Sequence, residues 1–79
     1  MRVDKFLKVS RIIKRRTVAG DACDAGRIVV NGKVVKPSYQ VKPGDVLEIA
    51  FGDRILKVEI LSVAEHAAKE EAASLYREL

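Results

Sequence analysis

At 79 residues the chain has room for one domain around one modest core, which alone supplies stability of about 3 to 5 kcal/mol. A composition of 48% hydrophobic and 33% charged residues is that of a folded globule, and no apolar run approaches the roughly 20 residues that cross a bilayer. The formal net charge of +4 is unevenly spread: residues 1–45 carry eleven Lys and Arg against four acids, residues 46–79 four against seven, which points the first part at a polyanion.

The chain opens Met1-Arg2-Val3-Asp4-Lys5, without the apolar segment of a signal peptide, so a cytoplasmic location with no membrane contact is expected. The spacing predicts an amphipathic helix from about Asp4 to Lys14, with Val3, Phe6, Leu7, Ser10 and Ile13 on one face and Lys5, Lys8, Arg11 and Arg15 on the other. Asp4 falls in its first turn, where a carboxylate accepts hydrogen bonds from free backbone N–H groups and can partner Arg2 or Lys5. Arg15 and Arg16 form a basic corner. Thr17 is placed to cap a second, short helix reaching about Ala25, which Gly26 ends in the left-handed position. The buried side of that helix is small (Val18, Ala19, Ala22, Cys23, Ala25), and Gly20 within it costs about 1 kcal/mol relative to alanine.

From Arg27 the period changes to two. Ile28-Val29-Val30 and Lys33-Val34-Val35 flank Asn31-Gly32, the strongest short hairpin signal, since both residues tolerate positive φ. Lys36-Pro37-Ser38-Tyr39 ends the hairpin, and Pro43-Gly44-Asp45 turns the chain into Val46–Phe51. Gly52-Asp53 joins that strand to a partner, Arg54–Leu61. The remainder from about Ala64 is rich in Ala, Glu and Lys and reads as a helix, with Ala72, Leu75, Tyr76 and Leu79 on one stripe. The expected fold class is α+β: two N-terminal helices on a small antiparallel sheet of four to five strands, with a C-terminal helix. One domain spans 1–79, its core motif in about 1–50 and its second hairpin and closing helix in about 46–79.

Several residues have bland readings. His66 is expected at the surface, Cys23 in the core, Tyr76 packed and Tyr39 over the sheet edge, where it could also stack on a base. One His and one Cys in separate elements provide neither a nucleophile with its base nor a set of metal ligands, so no catalytic residue, cofactor or metal is expected. An aromatic fraction of 5% disfavours a binder of single strands that relies on stacking platforms.

Read in order, Arg2-Val3-Asp4-Lys5-Phe6-Leu7, Arg15-Arg16-Thr17-Val18-Ala19, Gly26-Arg27-Ile28-Val29-Val30-Asn31-Gly32, Lys36-Pro37-Ser38 and Pro43-Gly44-Asp45 resemble the S4 RNA-binding domain. Lys36-Pro37-Ser38 and Glu71-Ala72-Ala73-Ser74-Leu75-Tyr76-Arg77-Glu78 are similar to the stand-alone branch typified by heat-shock protein 15 and RqcP. Leu79 ends the chain without the long basic tail of the former, which points to the RqcP side. The resemblance implies the alpha-L, S4-like fold and a monomer on the large ribosomal subunit that touches large-subunit rRNA and P-site tRNA. It further implies support for an RqcH-like factor adding alanine tails to stalled chains. Arg2 and Arg16 match the family's RNA-contacting arginines, with Lys5, Lys8, Arg11, Lys14, Arg15 and Lys36 as flanking phosphate contacts. Val3 stands where the family usually has Leu, and Gly20 where it has a helix former. Two alternatives stay open: a rescue factor of the heat-shock protein 15 kind without tailing, and a protein–protein adaptor docking through Glu65, Glu70 and Glu71.

Overall fold

Two helices, α1 (Val3–Val9) and α2 (Arg16–Asp24), lead into five strands and one short helix: β1 (Ile28–Val30), β2 (Lys33–Val34), β3 (Val46–Phe51), β4 (Arg54–Ile60), α3 (Lys69–Ala72) and β5 (Tyr76–Glu78). The computed structural model describes all of residues 1–79. The strands form one antiparallel sheet in the order β2-β1-β3-β4-β5. No helix is long and apolar enough to cross a membrane.

Strand alternation decides which face of the sheet is dry. Val30, Leu47 and Val58 pair across β1, β3 and β4 and are fully buried, as are Ile28, Ile49 and Ile60. Their neighbours Val29, Glu48, Lys57 and Glu59 point to the other, wetter face. Val3, Phe6, Leu7, Ser10 and Ile13 all enter the core, so the apolar face read from their spacing is the buried one. Truncating Phe6, which is wholly enclosed, would cost about 3 to 5 kcal/mol.

The β1–β2 turn is built by Asn31 at φ 51° and Gly32 at φ 86°, the left-handed pair of a type I′ hairpin. Asn31 also staples that turn to β3. Its side-chain amide donates to Asp45 Oδ1 at 3.0 Å, and its carbonyl oxygen accepts from the Val46 N–H at 2.9 Å. Asp45 is buried and its Oδ2 accepts the Lys42 N–H at 3.0 Å. The Pro43-Gly44-Asp45 motif is therefore structural.

Three expectations are corrected. Helix α1 stops at Val9 rather than Lys14: the Ser10 hydroxyl donates back to the Leu7 carbonyl at 3.2 Å, and Arg11 adopts a left-handed φ of 64°. Ile13 reaches the core through that turn, its N–H bonded to the Leu7 carbonyl at 3.1 Å. Helix α2 begins at Arg16 with Arg15 as N-cap and no side-chain cap, so Thr17 is already inside it; of its small residues only Ala19 and Cys23 are buried, and Val18 is exposed. A β-carbon on Gly20 would meet only Pro37, at 3.9 Å, so the helix tolerates alanine there.

The third correction is the largest. The C-terminal segment forms only the four-residue α3, and Tyr76–Glu78 pairs with β4 as a fifth strand. The backbone groups along the β4 edge find partners this way, a non-local gain that outweighs the modest helix propensity of Glu, Ala and Lys. Ala72 and Leu75 still dock in the core, Tyr76 is half-buried, and Leu79 is exposed.

Candidate nucleic-acid interface

The N-terminus of α1 is tied down by a passing strand rather than by a side-chain cap. The Val3 N–H donates to the Tyr39 carbonyl at 2.7 Å, the Asp4 N–H to the Pro37 carbonyl at 3.3 Å, and the Val41 N–H to the Met1 carbonyl at 2.8 Å. Residues 37–41 thus lie along residues 1–4, with Arg2 bridged to Gln40. This fixes where the Arg2 and Asp4 side chains leave the backbone.

Asp4 then gathers the arginines. Its side chain is only 8% exposed, and Oδ1 accepts the Lys5 backbone N–H at 2.8 Å, the helix-start bond expected of it. Arg2 donates Nε to Oδ1 and Nη2 to Oδ2, both at 3.2 Å. Arg16, arriving from the start of α2, sets its Nε 3.5 Å from Oδ2. Two guanidiniums from the starts of separate helices therefore share one carboxylate, yet both remain 46% exposed. An arginine has five N–H donors; Arg2 spends its protein bonds on Asp4 alone, and Arg16 makes no other ion pair. The triad keeps a surplus positive charge and free forked donors on the surface, a fit for planar bidentate grip on phosphate.

A second basic group lies at the other end of α1. Lys8, Arg11 and Lys14 line a cleft of about 650 Å³ together with Val9, His66, Ala67 and Lys69. Lys5 stands between the two groups, paired with Glu65, whose carboxyl that hydrogen bond and charge hold below its ordinary range. Arg15 is exposed at the α2 N-cap with no ion-pair partner. Lys36 sits apart, in a cleft of about 660 Å³ with Lys33, Ser38 and the half-exposed ring of Tyr39.

So Arg2 and Arg16 meet, Lys8, Arg11 and Lys14 meet, and Lys36 lies in a third place beside the strand that holds Arg2. His66 is exposed as expected, but together with Lys69 it lines the second cleft. No local signal could reveal that, because both residues come from the acidic half of the chain and arrive by tertiary packing.

Burial pushes the Cys23 thiol up to about 11, and the negative charges of Asp4 and Asp24 add to the effect. Cys23 is thus a packing residue that senses the Asp4 carboxylate.

Residues 1–47 match the S4 domain family. A protein of Halalkalibacterium halodurans named RQC P-site tRNA stabilizing factor is 58% identical over 76 residues, covering 96% of this chain and 86% of that one. The protein of the same name from Bacillus subtilis is 51% identical, with 96% and 88% covered. The solved structure of heat-shock protein 15 from Vibrio cholerae, described as trimeric, superposes with a TM-score of 0.93 at 30% identity, covering all of this chain and 81% of that one.

Proposed function

The chain belongs to the S4 domain family, and we propose that it is a non-catalytic RNA-binding factor of the ribosome that steadies P-site tRNA on obstructed large subunits. It works in the cytoplasm, against large-subunit rRNA and tRNA together, and supports an RqcH-like factor as that partner adds alanine tails to the stalled chain. The observation that carries this reading is the sharing of Asp4 by Arg2 and Arg16, which holds two phosphate-gripping forks at a fixed separation on an S4 domain.

Such a site needs no reacting group. Structured RNA is recognised through shape, phosphate and ribose contacts, and two prepaid guanidinium orientations lower the entropy lost on docking. Bridging a tRNA to an rRNA helix with several such contacts slows tRNA departure without chemistry. Arg2, Arg16, Lys5, Lys8, Arg11, Lys14, Arg15 and Lys36 supply those contacts.

Cosedimentation with purified large subunits tests the reading. Retention should rise when the subunits carry P-site tRNA, fall on RNase treatment and fall again in Arg16→Ala. Equal retention on empty subunits would contradict tRNA steadying, and RNase-resistant retention would favour the adaptor reading. The close superposition on heat-shock protein 15 supports a second reading, rescue without tailing. Copurification of an RqcH-like factor with alanine-tailed peptides decides against it, and their absence decides for it.

A further inference from the structure

We propose that the C-terminal segment around His66 and Lys69 is the second wall of a groove that holds a separate length of RNA phosphodiester backbone. The inference rests on the RNA-binding reading and adds to it a second docking site, drawn partly from the acidic half of the chain.

The cleft has four fixed positive charges, from Lys8, Arg11, Lys14 and Lys69, and no acid in its lining. None of the four takes part in an ion pair, whereas Lys5 within α1 and Arg2 at its start do. Of the acids that flank the segment, Glu65 is turned onto Lys5, and Glu70 and Glu71 lie outside the lining of the cleft. Four uncompensated cations in one cleft repel each other, a cost that a bound polyanion removes as it releases its own counterions.

The backbone supplies an independent observation. Arg11 occupies the left-handed region at φ 64°, where glycine would sit without strain. That turn ends α1 and carries Arg11 and Lys14 to the cleft beside Lys8. Between the cations the walls are Val9, Ala67 and the imidazole of His66, with no Phe, Tyr or Trp, so the charges outnumber any stacking surface and the groove favours a phosphodiester backbone. The seven residues of α1 rise about 10 Å from the Arg2–Asp4 end to the Lys8 end, so Arg2 and the groove reach different phosphates, while Arg16, two residues after Lys14, joins the two sites.

The test measures affinity for protein-free large-subunit rRNA across a salt series, for the wild type, His66→Ala/Lys69→Gln and Arg2→Ala/Arg16→Ala. Both groove residues are exposed, and circular dichroism checks that the fold is kept. The groove variant should bind about 5- to 10-fold more weakly, with a slope of log affinity on log salt shallower by about 1. A photo-crosslinking amino acid at position 68 should capture RNA. Wild-type affinity and slope in the groove variant, or crosslinks to protein alone on intact large subunits, would overturn the proposal. The arginine variant reports separately: weakening there alone leaves the proposed function standing and removes the groove, and weakening in neither variant removes both.

Discussion

The two ends of α1 handle positive charge in opposite ways. At its start, Arg2 and Arg16 are bound to a nearly buried carboxylate, giving up a full charge in exchange for fixed orientation. At its end, Lys8, Arg11 and Lys14 line a cleft with Lys69 and no carboxylate, keeping all their charge. The contrast separates two contributions to polyanion binding that net charge conflates. On the proposed reading, preorganised forks set where RNA docks, and unpaired cations set how strongly salt opposes it.

Several substitutions would break or sharpen this contrast. The largest effect is expected for Arg2→Ala/Arg16→Ala, which removes two charge-assisted contacts and should lower RNA affinity about 30- to 100-fold in filter binding. Asp4→Asn comes next. It makes the protein more positive by one charge, so attraction by net charge alone would tighten binding; loss of the shared carboxylate should instead weaken it about 3- to 10-fold. The same change should cost about 1 to 2 kcal/mol in urea unfolding, since Oδ1 holds the Lys5 N–H and both oxygens hold guanidiniums. Tighter binding by Asp4→Asn would show that orientation matters little here.

Arg11→Gly probes the other end of α1. Relief of the left-handed strain should raise stability by about 1 kcal/mol, and the lost cation should weaken RNA binding about 3-fold, so the melting temperature and the affinity move in opposite directions. Glu65→Gln should free Lys5 and tighten binding about 2-fold. Because the Glu65 carboxyl is held below its ordinary range, the Lys5 pair is intact above that range and is lost as pH falls through the lowered value. The gap between wild type and Glu65→Gln should therefore close in acid. The smallest effect is at Cys23, where thiolate absorbance should titrate at a lower pH in Asp4→Asn than in wild type, because one of the charges raising it is gone. In the wild type the raised thiol pKa contributes stability that is whole below 9.0 and is lost as pH climbs toward about 11.

Much of this is legible in the sequence. The buried face of α1, the Asn31-Gly32 hairpin and the Asp4 helix-start bond rest on interactions within a few residues, and the sequence carries those directly. The end of α1 is not legible there, because Ile13 keeps the helical spacing after the helix has stopped, so periodicity alone cannot see the turn at Arg11. The last segment is hidden for a different reason. Its helix propensity is local, whereas its pairing with β4 depends on an edge that exists only after the sheet has formed. The same distance in sequence hid His66 and Lys69 from the cationic residues they face.

The central claim is that folded RNA docks on this surface through several phosphates at once, and the salt dependence of large-subunit binding tests it most directly. With about four to six phosphate contacts, log affinity should fall against log salt with a slope of roughly −3 to −5. A flat line, with affinity unchanged between low and physiological salt, would contradict it.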